Sequence, residues 1–175
     1  MKNLLLLFAV LLSLNSCDKE DNPTTPLEQL PAQTTTGANT AGCLVNGEAF
    51  LPKGNLTNRL FCQYNNEKDF SISIGEKIND KIRTVNIASL NEKLEVNKTY
   101  QLKEYGENSK FGEYIIINPD FSIVNYSTNS IVVGELKITN HNVDKATISG
   151  TFWFDAVNKL GDKVEVREGR FDMEY

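Results

Sequence analysis

From residue 43 onward, apolar and polar residues alternate in short runs broken by Asn, Asp and Gly. A period of two marks half-buried strands, because successive side chains of a strand point to opposite faces. The sharpest local signal is Cys43-Leu-Val-Asn46-Gly47-Glu-Ala-Phe50. Asn-Gly supplies the two left-handed residues of a tight hairpin, which predicts Val45 opposite Glu48 and Cys43 opposite Phe50. Further strands are predicted at 59–65, 70–75, 83–90, 99–103, 114–118 and 121–126, with turns at Asn65-Asn66, Asn79-Asp80 and Pro119-Asp120. Residues 130–140, 146–157 and 163–175 read as three long strands of a meander. Residues 90–97 are the best helical stretch, weakened by Val96 and Asn97.

The pattern predicts an all-β fold: one antiparallel domain over residues 43–175, a β-sandwich first and a barrel-like closure as the alternative. The expected core is Val45, Leu60, Phe70, Ile72, Ile74, Val85, Ile87, Ile115, Ile117, Val132, Leu136, Ile138, Ile148, Phe152, Phe154, Phe171, Met173 and Tyr175. On the last strand, Arg170, Asp172 and Glu174 form the opposite, charged face.

The chain before residue 43 is built differently. Lys2, the apolar run Leu4 to Leu14 and then Ser16-Cys17 read as a lipoprotein signal, with residues 1–16 removed and Cys17 acylated on its sulfur. The run is too short for a membrane-spanning helix, which needs about 20 residues. Two or three acyl chains, at about 0.8 kcal/mol per buried methylene, would instead anchor the chain stably. Residues 17–42, with Pro23, Pro26, Pro31 and many threonines, read as the lipidated cysteine and a disordered tether.

Composition narrows the function classes. Loss of the signal removes one of the 18 basic residues and none of the 23 acidic ones, leaving a formal charge of −6. No basic stripe is present, so nucleic acid is not an expected partner. With Cys17 taken by lipid, Cys43 and Cys62 remain as a pair, either a disulfide or two buried thiols. A disulfide would close a loop worth roughly 3 kcal/mol on the chain-entropy account.

Little in the chain suggests chemistry. His141, the only histidine, lies in an expected surface turn without a second metal-binding side chain beside it. No Gly-x-Ser-x-Gly elbow and no phosphate-cradling glycine motif occurs. Asp155, Asn158 and Asp162 flank one turn, where oxygen ligands for calcium compete with the ordinary backbone role of Asn and Asp, and the spacing is not that of an EF-hand. No catalytic, cofactor-binding or metal residue is assigned, and the chain is not expected to be an enzyme. Phe152-Trp153-Phe154 is more suggestive: parity puts both phenylalanines on the core face and Trp153 on the polar face. There its indole could contact a sugar or a partner, unless a loop or the tether covers it.

Three stretches carry a resemblance: Thr36-Gly-Ala-Asn-Thr-Ala-Gly-Cys-Leu-Val-Asn-Gly47, Ile148-Ser-Gly-Thr-Phe-Trp-Phe154 and Glu168-Gly-Arg-Phe-Asp172. With them the chain resembles a family of small Bacteroidetes-type lipoproteins of undetermined function. The resemblance brings no activity, cofactor or catalytic residue. It implies an outer-membrane lipoprotein, with Asp18-Lys19-Glu20-Asp21 similar to the acidic surface-export signal of such proteins. The function expected is non-catalytic binding of a glycan or envelope protein by a membrane-anchored domain at the cell surface, with a periplasm-facing domain as the other placement. A small-ligand carrier built on a barrel is the alternative.

Overall fold

The computed structural model describes residues 25–175. The predicted signal, Cys17 and the start of the tether lie outside the described residues. The chain forms β1 (Thr40–Val45), β2 (Glu48–Phe50), β3 (Leu60–Asn65), β4 (Asp69–Ile78), β5 (Lys81–Ser89), β6 (Thr99–Leu102), β7 (Lys110–Ile117), β8 (Ile123–Ser127), β9 (Gly134–Asn142), β10 (Thr147–Val157) and β11 (Lys163–Glu174). All pair antiparallel in one sheet, in the order β2-β1-β11-β10-β8-β7-β5-β4-β3, with β9 on β10 and β6 on β9. The all-β expectation holds, and no helix occurs among the described residues.

β10 is the pivot. Its residues Thr147 to Phe154 pair with β9, while Val157 pairs with Ser127 of β8. The sheet thereby folds over on itself, and the two halves face each other across one core. Phe70 of β4 meets Phe171 of β11 at a ring separation of 5.7 Å, and Phe50 of β2 meets Tyr114 of β7 at 6.1 Å. Beyond β2, Lys53 donates to Gly75 O (3.2 Å) and accepts from Lys77 N (2.9 Å), which laces the end of one half to β4. The architecture thus combines a sandwich's two facing layers with partial barrel closure.

Local chemistry accounts for the connections. The Asn46-Gly47 hairpin has the expected register, with φ of 51° and 84° at the two turn residues. Asn79 and Asp80, at 50° and 60°, make a second two-residue turn between Ile78 and Lys81. Asparagine tolerates the left-handed region better than most side chains, and it holds turn positions 46, 66, 79, 91, 97 and 108. Positive φ at Asn91 and Asn97 also explains why residues 90–97 form no helix.

The structure corrects several expectations. In β7 the parity is inverted: Tyr114 is buried, whereas Ile115 and Ile117 are half-buried. Pairing sets this, because Tyr114 and Gly112 lie opposite the buried Val85 and Ile87 of β5. A Cβ at Gly112 would sit 2.7 Å from the Phe154 ring, so glycine is needed there for that ring to enter the core. β8 starts at Ile123, since Phe121 has φ of 64° and completes the Pro119-Asp120 turn. Val132 precedes β9 and is half-buried. Leu60 and Tyr175 only flank the core. The domain also begins before residue 43: β1 starts at Thr40, Leu30 is buried, and the strap from Thr34 to Ala38 is fixed to β11 through the Thr34 hydroxyl and the N–H groups of Thr36, Gly37 and Ala38.

Candidate functional site

The outer face of β6, β9, β10 and β11 carries the most distinctive surface. On β10, Phe152 and Phe154 are buried and Trp153 between them is half-buried on the outer side, as parity requires. Register aligns Thr99 of β6, Lys137 of β9 and Thr151 of β10 in one row, and Gln101, Glu135 and Trp153 in the next. The indole Nε1 donates to Glu135 Oε2 at 3.2 Å. An open groove of about 690 Å³ lies beside the indole, with Gln33 at its border.

A β-bulge shapes this groove. Phe152 pairs with Gly169 and Phe154 with Val166, so Arg167 and Glu168 together oppose Trp153. Bulges bend a strand and re-aim its side chains. Here Glu168 takes φ of 53°, and the Arg167 guanidinium lies 5.5 Å from the centre of the indole. Arg167 is held by Phe154 O (3.1 Å), Val166 O (3.0 Å) and an ion pair with Asp155. Gly169 leaves room for the Phe152 ring, which a Cβ there would meet at 2.4 Å.

Further along the same outer face, beneath residues 34–38, sits a buried carboxylate on β11. Asp172 is 1% exposed. It accepts hydrogen bonds from Thr34 Oγ1 (2.6 Å), Thr36 N (2.9 Å), Gly37 N (2.9 Å), Ala38 N (3.1 Å) and Ser149 Oγ (2.7 Å). Burial pushes its carboxyl up, but hydrogen bonds from Thr34, Ser149, Gly37 and Thr36 outweigh that and hold it far below the usual carboxylate range. Segments of all three resembling stretches therefore meet at one buried anion.

Residues 63–173 match the family described as Domain of unknown function (DUF6252). The chain belongs to this family. Neither a curated protein nor a solved structure matches it. The DUF6252 region contains Trp153, Glu135, Lys137, Arg167 and Asp172, while β1, β2 and the 34–38 strap precede it.

The other candidate residues of the DUF6252 chain have structural surroundings. His141 is not in a turn: it belongs to β9, half-buried, with Nε2 3.0 Å from Tyr175 Oη and its ring 5.0 Å from that of Tyr64. Burial pulls its pKa down. Cys43 and Cys62 form no disulfide; both are buried free thiols on β1 and β3. These strands belong to opposite halves, and each sulfur packs as a small hydrophobe. Burial pushes the Cys62 thiol up to about 12 and Cys43 further, so neither thiol is an activated nucleophile.

Asp155, Asn158 and Asp162 are likewise spent on the fold. Asp155 pairs with Arg167. Asn158 Oδ1 accepts from Leu160 N and Asp162 N, each at 2.9 Å, and its Nδ2 donates to Asp162 Oδ2 at 2.8 Å. This is a turn closed by its own side chains, and no metal-binding cluster occurs among the described residues. Sequence reasoning thus found the Trp153 face but missed Asp172 and the bulge. The signal for the bulge was Gly169 in an otherwise regular strand, which marks a bulge or a close approach.

Proposed function

We propose that this chain is a cell-envelope lipoprotein whose DUF6252 domain works by non-catalytic binding of a protein partner or a glycan. The observation that carries the reading is the open groove beside Trp153, a half-buried indole on the outer sheet face flanked by Lys137, Thr151 and Glu135. Recognition surfaces use such amphipathic rings because they offer a large apolar area and a polar edge at little entropy cost. The envelope part of the reading rests on Lys2, the Leu4 to Leu14 run and Ser16-Cys17. In it Cys17 bears the acyl chains in the outer membrane, and Asp18 to Asp21 directs the domain to the cell surface, as the resemblance to Bacteroidetes-type lipoproteins implies. A small-ligand carrier has no observation in its favour, since Phe50, Phe70, Phe154 and Phe171 fill the space between the halves.

The test is capture of detergent-solubilised envelope protein and glycan by the immobilised purified chain, where detergent takes the place of the membrane around any acyl chains. The wild type is expected to retain envelope material, and Trp153→Ala to retain at least tenfold less with an unchanged far-UV circular dichroism spectrum. Equal retention of the two would remove Trp153 from the binding surface.

A further inference from the structure

The geometry points to a neutral glycan, rather than a protein surface or an anion, as the ligand of the Trp153 groove; this inference rests on the binding function proposed above. Three observations separate the classes. Apart from Trp153 and Phe152, the groove is lined by polar side chains and a glycine. None of the domain's large exposed hydrophobic residues, such as Phe61, Phe121, Ile131 or Leu160, lines it. A protein interface needs a desolvated apolar centre around its anchor, which this face lacks. A sugar needs one ring face for its C–H surface and a surround of hydrogen-bonding groups for its hydroxyls.

The surround is present and unspent. Among the described residues, the side chains of Gln33, Thr99, Lys137 and Thr151 have no hydrogen bond or ion pair within the protein. Thr99, Lys137 and Thr151 stand in one cross-strand row, and strands about 4.8 Å apart make such a row about 10 Å wide. The row therefore sets donors and acceptors at regular spacing beside the indole. Glu135 adds a carboxylate already oriented by the indole N–H.

Charge separates neutral from acidic sugars. Glu135 and Glu168 balance Lys137 and Arg167 among the lining residues. Arg167 is engaged by Asp155, and Glu168 by Arg170. With both of these paired, a ligand anion would meet the Lys137 ammonium beside the Glu135 carboxylate, so the groove has no net attraction for it.

The chain contains a single tryptophan, so its emission reports on this groove alone. The purified full chain would be titrated with dextran, mannan, galactan and xylan, with their periodate-oxidised forms, and with polygalacturonate as the acidic counterpart. A saturable change in Trp153 emission with at least one neutral polysaccharide is expected, weakened more than tenfold by periodate. Thr151→Val, which removes one hydroxyl from the platform, should weaken binding about threefold to tenfold at an unchanged Tm. A response to polygalacturonate alone would overturn the neutral class while leaving Trp153 as a recognition residue. No response to any polysaccharide would overturn the glycan and leave the protein-partner branch of the proposed function. Equal sedimentation of wild type and Trp153→Ala with the neutral polysaccharide would overturn the groove itself as the binding site.

Discussion

Asp172 shows how one buried charge fixes a segment that composition alone describes as loose. Its partners Thr34, Thr36, Gly37 and Ala38 lie more than 130 residues away in sequence, so no local pattern could place them. Hydrogen bonds to an ionised group contribute about 1.5–3 kcal/mol each, and leaving one member of such a set unsatisfied costs comparably. Asp172→Asn puts an amide N–H₂ where an acceptor was, and an equilibrium denaturation experiment should show a loss of about 2–4 kcal/mol. Acid should act in the same direction. Because the folded carboxyl titrates far below the unfolded one, its contribution is complete above about pH 4 and is lost as pH falls further towards the folded value. A plot of Tm against pH should therefore fall below pH 4 in the wild type and be flatter there in Asp172→Asn; parallel curves would deny the carboxylate this role.

At the scale of elements, the hairpins were legible because two-residue turns carry their own chemistry: Asn46-Gly47 fixes the Cys43–Phe50 register locally. β7 was not legible, because Tyr114-Ile115-Ile116-Ile117 is apolar on both faces. Only its pairing with Val85 and Ile87 decides which face is inside. The Trp153 face was readable from parity within β10, yet its neighbours come from β6 and β9 and from a bulge, which are facts of pairing rather than of sequence. The bulge makes a prediction of its own. Gly169→Ala forces a Cβ into the Phe152 ring, and overpacking of this kind costs about 1–3 kcal/mol. The displaced ring sits next to Trp153 in sequence, so the variant should also shift the Trp153 emission maximum; an unperturbed spectrum with full stability would show that the bulge does not set the indole's position.

For the whole molecule, clamping of residues 34–38 on β11 takes them out of the tether expected from the sequence. If Cys17 is the anchor, the segment from there to the buried Leu30 alone separates the domain from the membrane, so the reach is about half that of a tether running to residue 42. The strap also brings Gln33 to the border of the Trp153 groove, which couples the anchored end of the domain to its proposed binding face. Among the described residues no helix is long and apolar enough to cross a membrane, and in the proposed function the lipid at Cys17 is the attachment. That claim, a recognition domain held on a membrane by one acylated cysteine, is tested most directly by fractionating cells that produce the wild-type chain or Cys17→Ala and weighing the mature N-terminal peptide. The account predicts a wild-type chain in the membrane fraction that begins at an acylated Cys17, and a Cys17→Ala chain without acyl groups that leaves that fraction. An unmodified Cys17, or a Cys17→Ala chain that stays with the membranes to the same extent, would contradict it.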